Sequence, residues 1–135
     1  MTPVDFAKAF LVALLVMAAN VAIAFAVVAV YAYGVDPGHD EAYYQSAAER
    51  IAPWTSVVFG VVLFYLAGFV AARRRPQRNA IGFALVFAAI YIGIDSVLLY
   101  LAGGLQTLGV IVPLSYVTKL AAAFGGGYAG SAARA

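Results

Sequence analysis

The chain has no cysteine. Disulfides, thiol redox chemistry and thiolate metal sites are therefore all excluded. It has one histidine, His39, so a multi-histidine metal centre cannot form within a single copy. Charge is also scarce: Asp, Glu, Lys and Arg make up 10% of 135 residues, and the formal net charge is +2. That balance is too small for a nucleic-acid partner. No dense carboxylate cluster and no Ser/His arrangement occurs, which argues against an enzyme, and no cofactor is expected. The two halves share no pattern, so a duplicated transporter architecture lacks support.

Apolar sequence is what the chain has in abundance. Residues of the aliphatic, aromatic and cysteine class account for 65% of it. Several runs exceed the roughly 18 apolar residues that a spanning helix requires. Phe10 to Tyr31 forms the first run, interrupted by Asn20. It is longer than the apolar stretch of a signal peptide, so it is expected to be retained as a span. Trp54 to Ala72 is the second, Ile81 to Leu101 the third with Asp95 inside it, and Leu108 to Tyr128 the fourth, containing Pro113 and Lys119. The pattern predicts an all-α integral membrane protein, a single domain over 1–135 forming a four-helix bundle of antiparallel, up-down transmembrane helices. Residues 34–53 form the only sizeable polar segment. Asp36-Pro37-Gly38 reads as a turn, and Asp40 as the cap of a short helix lying along the membrane surface and ending before Pro53.

Basic residues set the expected orientation. Arg73, Arg74, Arg75 and Arg78 lie between the second and third runs, with Lys8 and Arg134 on the same side. Only Arg50 lies on the other side, beside Asp36, Asp40, Glu41 and Glu49. Lys and Arg flanking a span stay on the cytoplasmic side, which predicts an inner (plasma) membrane protein with both termini in the cytoplasm. Anionic lipid head groups are the expected contacts of the four loop arginines. A second copy of the chain or a partner membrane protein is the other expected contact. Gly126 and Gly130 have small-residue spacing that serves such a seam or packing within the bundle equally well.

Asn20, Asp95 and Lys119 are the polar residues inside the runs. An ionisable group at membrane depth costs about 2.5–3.5 kcal/mol on insertion scales, so it normally has a partner. Asp95 is roughly 9 Å below the outer end of its helix and Lys119 roughly 16 Å below, at about 1.5 Å per residue. Helical side chains lean toward their own N-terminus, so on oppositely running helices these two lean toward each other. The spacing predicts a direct Asp95–Lys119 pair, with Tyr91, Ser115 and Tyr116 one helical turn away on the same faces. Asn20 either completes this polar cluster or makes an interhelical hydrogen bond. Pro113 is expected to leave the Gly109 carbonyl without its helical donor. His39, Asp40 and Glu41 carry ligand chemistry, but adjacent residues rarely converge on one ion, so a solvated acidic loop is the expectation and no metal. The cluster points to a channel- or transporter-like protein moving a small solute or ion. The alternative is a structural or accessory subunit, whose polar pair only stabilises the bundle and whose outer loop meets a partner.

Overall fold

The computed structural model describes residues 1–75 and 77–134, with side chains for all of these except 77 and 78. Among the described residues there is no strand. The elements are α1 (Pro3–Val30), α2 (Glu41–Arg73), α3 (Gln77–Leu101), α4 (Gly104–Leu108) and α5 (Ile111–Ala132).

Local chemistry fixes the helix starts. Thr2 caps α1 in a reciprocal box with Asp5: the Asp5 carboxylate accepts from the Thr2 backbone N–H at 2.8 Å, and Pro3 occupies the first turn. The helix therefore begins seven residues before the apolar run does. At its far end the last turn widens to a π-helical turn, Tyr31–Val35. Asp40 caps α2 as expected, accepting from the Tyr43 N–H at 3.0 Å.

The separate surface helix ending before Pro53 does not form. Instead α2 runs unbroken from Glu41 through Pro53 to Arg73. Proline removes only one donor, leaving the Glu49 carbonyl without it. Buried Ala47 and Thr55 on either side of Pro53 pack as parts of one helix. The polar connection thus shrinks to 36–40, and the basic connection ends where α3 starts at Gln77.

The fourth apolar run is also redrawn. Gly103 and Gly109 adopt positive φ (72° and 53°) and bracket the single turn α4, so α5 starts at Ile111 and ends at Ala132. Gly125, Gly126 and Gly127 lie inside α5. Pro113 falls in the first turn of α5, where its missing N–H would have no helical partner anyway. The Gly109 carbonyl accepts from the Val112 N–H at 3.4 Å, so Pro113 does not orphan it.

Phe64, Phe83, Phe87 and Tyr91 fill the core, with Phe64 edge-on to Tyr91 at a ring separation of 4.8 Å. Ala9, Ala13, Ala84 and Ala123 pack around them, fully buried. Helices α2 and α5 approach so closely that a methyl group on Gly126 would collide with the Tyr65 carbonyl. Outward-facing apolar side chains are left bare, Leu15 and Phe25 being 71% and 73% exposed. Water does not tolerate so large an apolar surface, and lipid does. Three helices, Pro3–Val35, Glu41–Arg73 and Asn79–Leu101, are long and apolar enough to cross a membrane. These features mark a membrane protein.

Of the loop arginines, Arg75 is not free for lipid. Its guanidinium pairs with Asp5 and lies 3.6 Å from the centre of the Phe83 ring, which ties the start of α1 to the end of α2. Arg73 and Arg74 are exposed. The Arg78 side chain and Pro76 lie outside the described residues.

Candidate functional site

Asp95 and Lys119 do not pair directly. Among the described residues the ion pairs are Arg75–Asp5 and His39–Asp36. The Lys119 ammonium instead donates to Ser56 Oγ at 2.9 Å, and Asn20 Nδ2 donates to the same oxygen at 2.9 Å. Asn20 Nδ2 also lies 3.0 Å from the Tyr91 hydroxyl, and the Lys119 nitrogen lies 5.0 Å from the centre of the Tyr91 ring. One side chain from each of α1, α2, α3 and α5 thus meets in a single knot. Asn20 and Lys119 are buried within it, Lys119 being 1% exposed.

Close contact between α2 and α5 explains the change of partner. The aliphatic stem of Lys119 lies across Gly60, where a Cβ would sit 2.6 Å from Lys119 Cε. The missing side chain opens a slot toward α2, and Ser56, one turn from Gly60, waits at its end. Gly60, with Ala67 and Gly68, reads in the sequence as a small residue for close helix contact, whereas nothing there marks Ser56 on its own. The signal for the pair is a small residue one turn from a hydroxyl in an otherwise apolar helix. The knot is not saturated: Asn20 Oδ1 is buried and meets no donor among the described residues.

Asp95 belongs to a second arrangement. Its Oδ2 accepts from the Tyr116 hydroxyl at 2.9 Å, and Ser96 Oγ donates to the Tyr116 oxygen at 3.1 Å. Asp95 is half-buried and faces a cavity of about 720 Å³ at the end of the molecule opposite Arg75. Ser56, Ser115 and Tyr116 share the polar part of the wall with Asp95. Leu99, Leu108, Ile111 and Val112 supply apolar wall, and exposed Glu49 and Arg50 stand beside Pro53 on α2. The freed Glu49 carbonyl is on this stretch of α2. Of the residues expected to share one site, Asp95, Ser115 and Tyr116 line the cavity, whereas Asn20, Tyr91 and Lys119 gather in the knot. Ser56 belongs to both.

The polar connection has its own order. Asp36 accepts from Tyr43 at 2.5 Å, and its other oxygen lies 3.1 Å from His39 Nε2. The Tyr44 hydroxyl donates to the Asp36 carbonyl and accepts from the His39 N–H. Hydrogen bonds from Tyr43 and then His39 hold the Asp36 carboxyl below its ordinary value of 3.8. Asp40 is used as a helix cap and Glu41 lies in the first turn of α2. Among the described residues no group of three His, Cys, Asp or Glu side chains could hold a metal ion.

Compared with known proteins, the chain matches no family model, no curated protein and no solved structure.

Proposed function

We propose that this protein binds a small solute or ion in the cavity at Asp95 and moves it across the inner membrane. The observation that carries this is the cavity itself: about 720 Å³ of space reaching an ionisable carboxylate at membrane depth. Ligand sites typically enclose 300–1,000 Å³ and combine apolar walls with a few convergent polar groups. An aspartate in a span is costly, and facing such a space gives it both water and purpose.

The proposed architecture is a four-span, antiparallel bundle of α1, α2, α3 and α5 with both termini cytoplasmic. The Arg75–Asp5 and Ser56–Asn20 contacts match the opposite ends of α1 and α2 in antiparallel order, and Tyr116–Asp95 suits the same order between α5 and α3. At 22 residues, α5 is about 33 Å long at 1.5 Å per residue, enough for a fourth span. Arg73 and Arg74 then face anionic head groups on the cytoplasmic side. A second copy or a partner protein would close the open side of the cavity.

The test is flux into liposomes holding the purified protein, measured for protons, monovalent cations and a panel of labelled small solutes. Asp95→Asn should abolish the wild-type flux while the variant stays monodisperse with a similar melting temperature. If wild type moves nothing and Asp95→Asn merely lowers stability, the transport reading fails.

The second reading, a structural or accessory subunit, draws support from the knot. Joining one residue of each long helix through Ser56 is what a bundle clamp would do. We assign Lys119, Asn20 and Tyr91 to that clamp and Asp95, Ser115 and Tyr116 to the solute site.

A further inference from the structure

We propose that the Asp95 cavity selects an ammonium group carried on an apolar body, and this rests on the cavity being a solute site. The choice of charge follows from the wall. Among the described residues the charged side chains lining the cavity are Asp95, Glu49 and Arg50, two carboxylates to one guanidinium, and only one of the Asp95 oxygens is engaged, by Tyr116. Its Oδ1 takes no hydrogen bond among the described residues, so Asp95 lines the cavity with acceptor capacity unused. Glu49 and Arg50, adjacent and opposite in sign, offset each other in exposed positions. Lys119 does not line the space and cannot contact a solute there: it is 1% exposed, and its nitrogen is directed to Ser56 and covered by the Tyr91 ring.

Hydrogen bonding points the same way. A protonated amine is a donor with several N–H groups, and the wall around Asp95 offers acceptors: the free Asp95 oxygen and Ser115 Oγ. A charge-assisted N–H to carboxylate bond is roughly twice as strong as a neutral one. An anion would instead meet a wall on which the carboxylates of Asp95 and Glu49 outnumber the one guanidinium, Arg50. The apolar part of the ligand is set by Leu99, Leu108 and Ile111, which leave room for a ring or a chain of several carbons. Two sources carry this chemistry, a free lipophilic amine and the head group of an amino-phospholipid.

The experiment uses the full chain in phosphatidylglycerol nanodiscs with three fluorescent probes of one shape. These are dansylcadaverine (an amine), its N-acetyl derivative (neutral) and dansyl-aminohexanoate (an anion). The amine should bind saturably, at least tenfold tighter than either analogue. Asp95→Asn should remove that preference. Ala52→Trp, which fills the cavity from α2 and leaves Asp95 intact, should block binding in a protein of wild-type melting temperature. Phosphatidylethanolamine added to the nanodiscs should displace the amine if the lipid head group is the natural source, and should leave it bound if a free amine is. Equal binding of all three probes, blocked by Ala52→Trp, would overturn the ammonium assignment while leaving the cavity a solute site. Failure of every probe to bind wild type also overturns it, and flux of another solute lost in Asp95→Asn would then show that the transport reading survives alone.

Discussion

Lys119 Nζ lies 2.9 Å from Ser56 Oγ, and this contact, not one to Asp95, is where the buried lysine ends. The same oxygen receives Asn20, so a single hydroxyl on α2 holds side chains from α1 and α5. Ser56→Ala should therefore strand two buried donors at once. Leaving a buried polar group unpaired costs about 1–3 kcal/mol. A loss of at least that size is expected in thermal or denaturant unfolding in detergent. Lys119→Met should suppress part of the Ser56→Ala loss in a double-mutant cycle, and independent, additive losses would contradict the shared contact.

Gly126 and Gly125 are neighbours with opposite expected tolerance. A methyl at Gly126 meets the Tyr65 carbonyl and the backbone of α2, whereas one at Gly125 makes ordinary contact with the Tyr65 ring at 3.8 Å. Gly126→Ala must push α2 and α5 apart and should cost about 1–3 kcal/mol, as overpacking typically does. Gly125→Ala should be neutral or slightly stabilising because alanine favours helix. Equal melting temperatures for the two variants would refute the close approach.

The pairing of Arg75 with Asp5, packed on Phe83, makes one arginine of the loop structural. Each side chain of the pair is 16% exposed, so the contact is partly shielded from the screening that weakens surface ion pairs. Arg75→Gln should lower the melting temperature. Arg73→Gln and Arg74→Gln should leave the melting temperature unchanged. Parallel melting curves for all three variants would sink this division.

Asp36 gives a pH dependence with a definite sign. Its carboxyl lies below its ordinary 3.8 because Tyr43 and His39 hydrogen-bond the charged form. A depressed carboxylate contributes order above its unfolded value, and that contribution is lost as pH falls through the lowered one. The ring resonances of Tyr43 and Tyr44 should hold steady down to about pH 4 and shift toward free-tyrosine positions only below it. Asp36→Asn should show the shifted resonances at every pH. A transition near neutral pH in wild type would mean that another group orders the turn.

Much of this molecule is legible from composition and order. A chain with 10% charged residues and long apolar runs has to be helical and lipid-facing, because a helix satisfies its own backbone where water is absent. Asp40 as a cap could be read locally, since capping involves residues three apart. The continuity of α2 through Pro53 could not, because proline's local preference is overridden by packing on both sides of it. Depth and lean on two neighbouring helices predict a direct Asp95–Lys119 pair, but α2 offers Lys119 a nearer partner in Ser56. Once the glycines let α2 and α5 close together, the lysine turned into the slot above Gly60. Residue order alone shows which side chains are too polar for lipid and that each needs a partner. Packing in three dimensions selects those partners, because small residues set how near two helices come, and that distance governs what each polar group reaches.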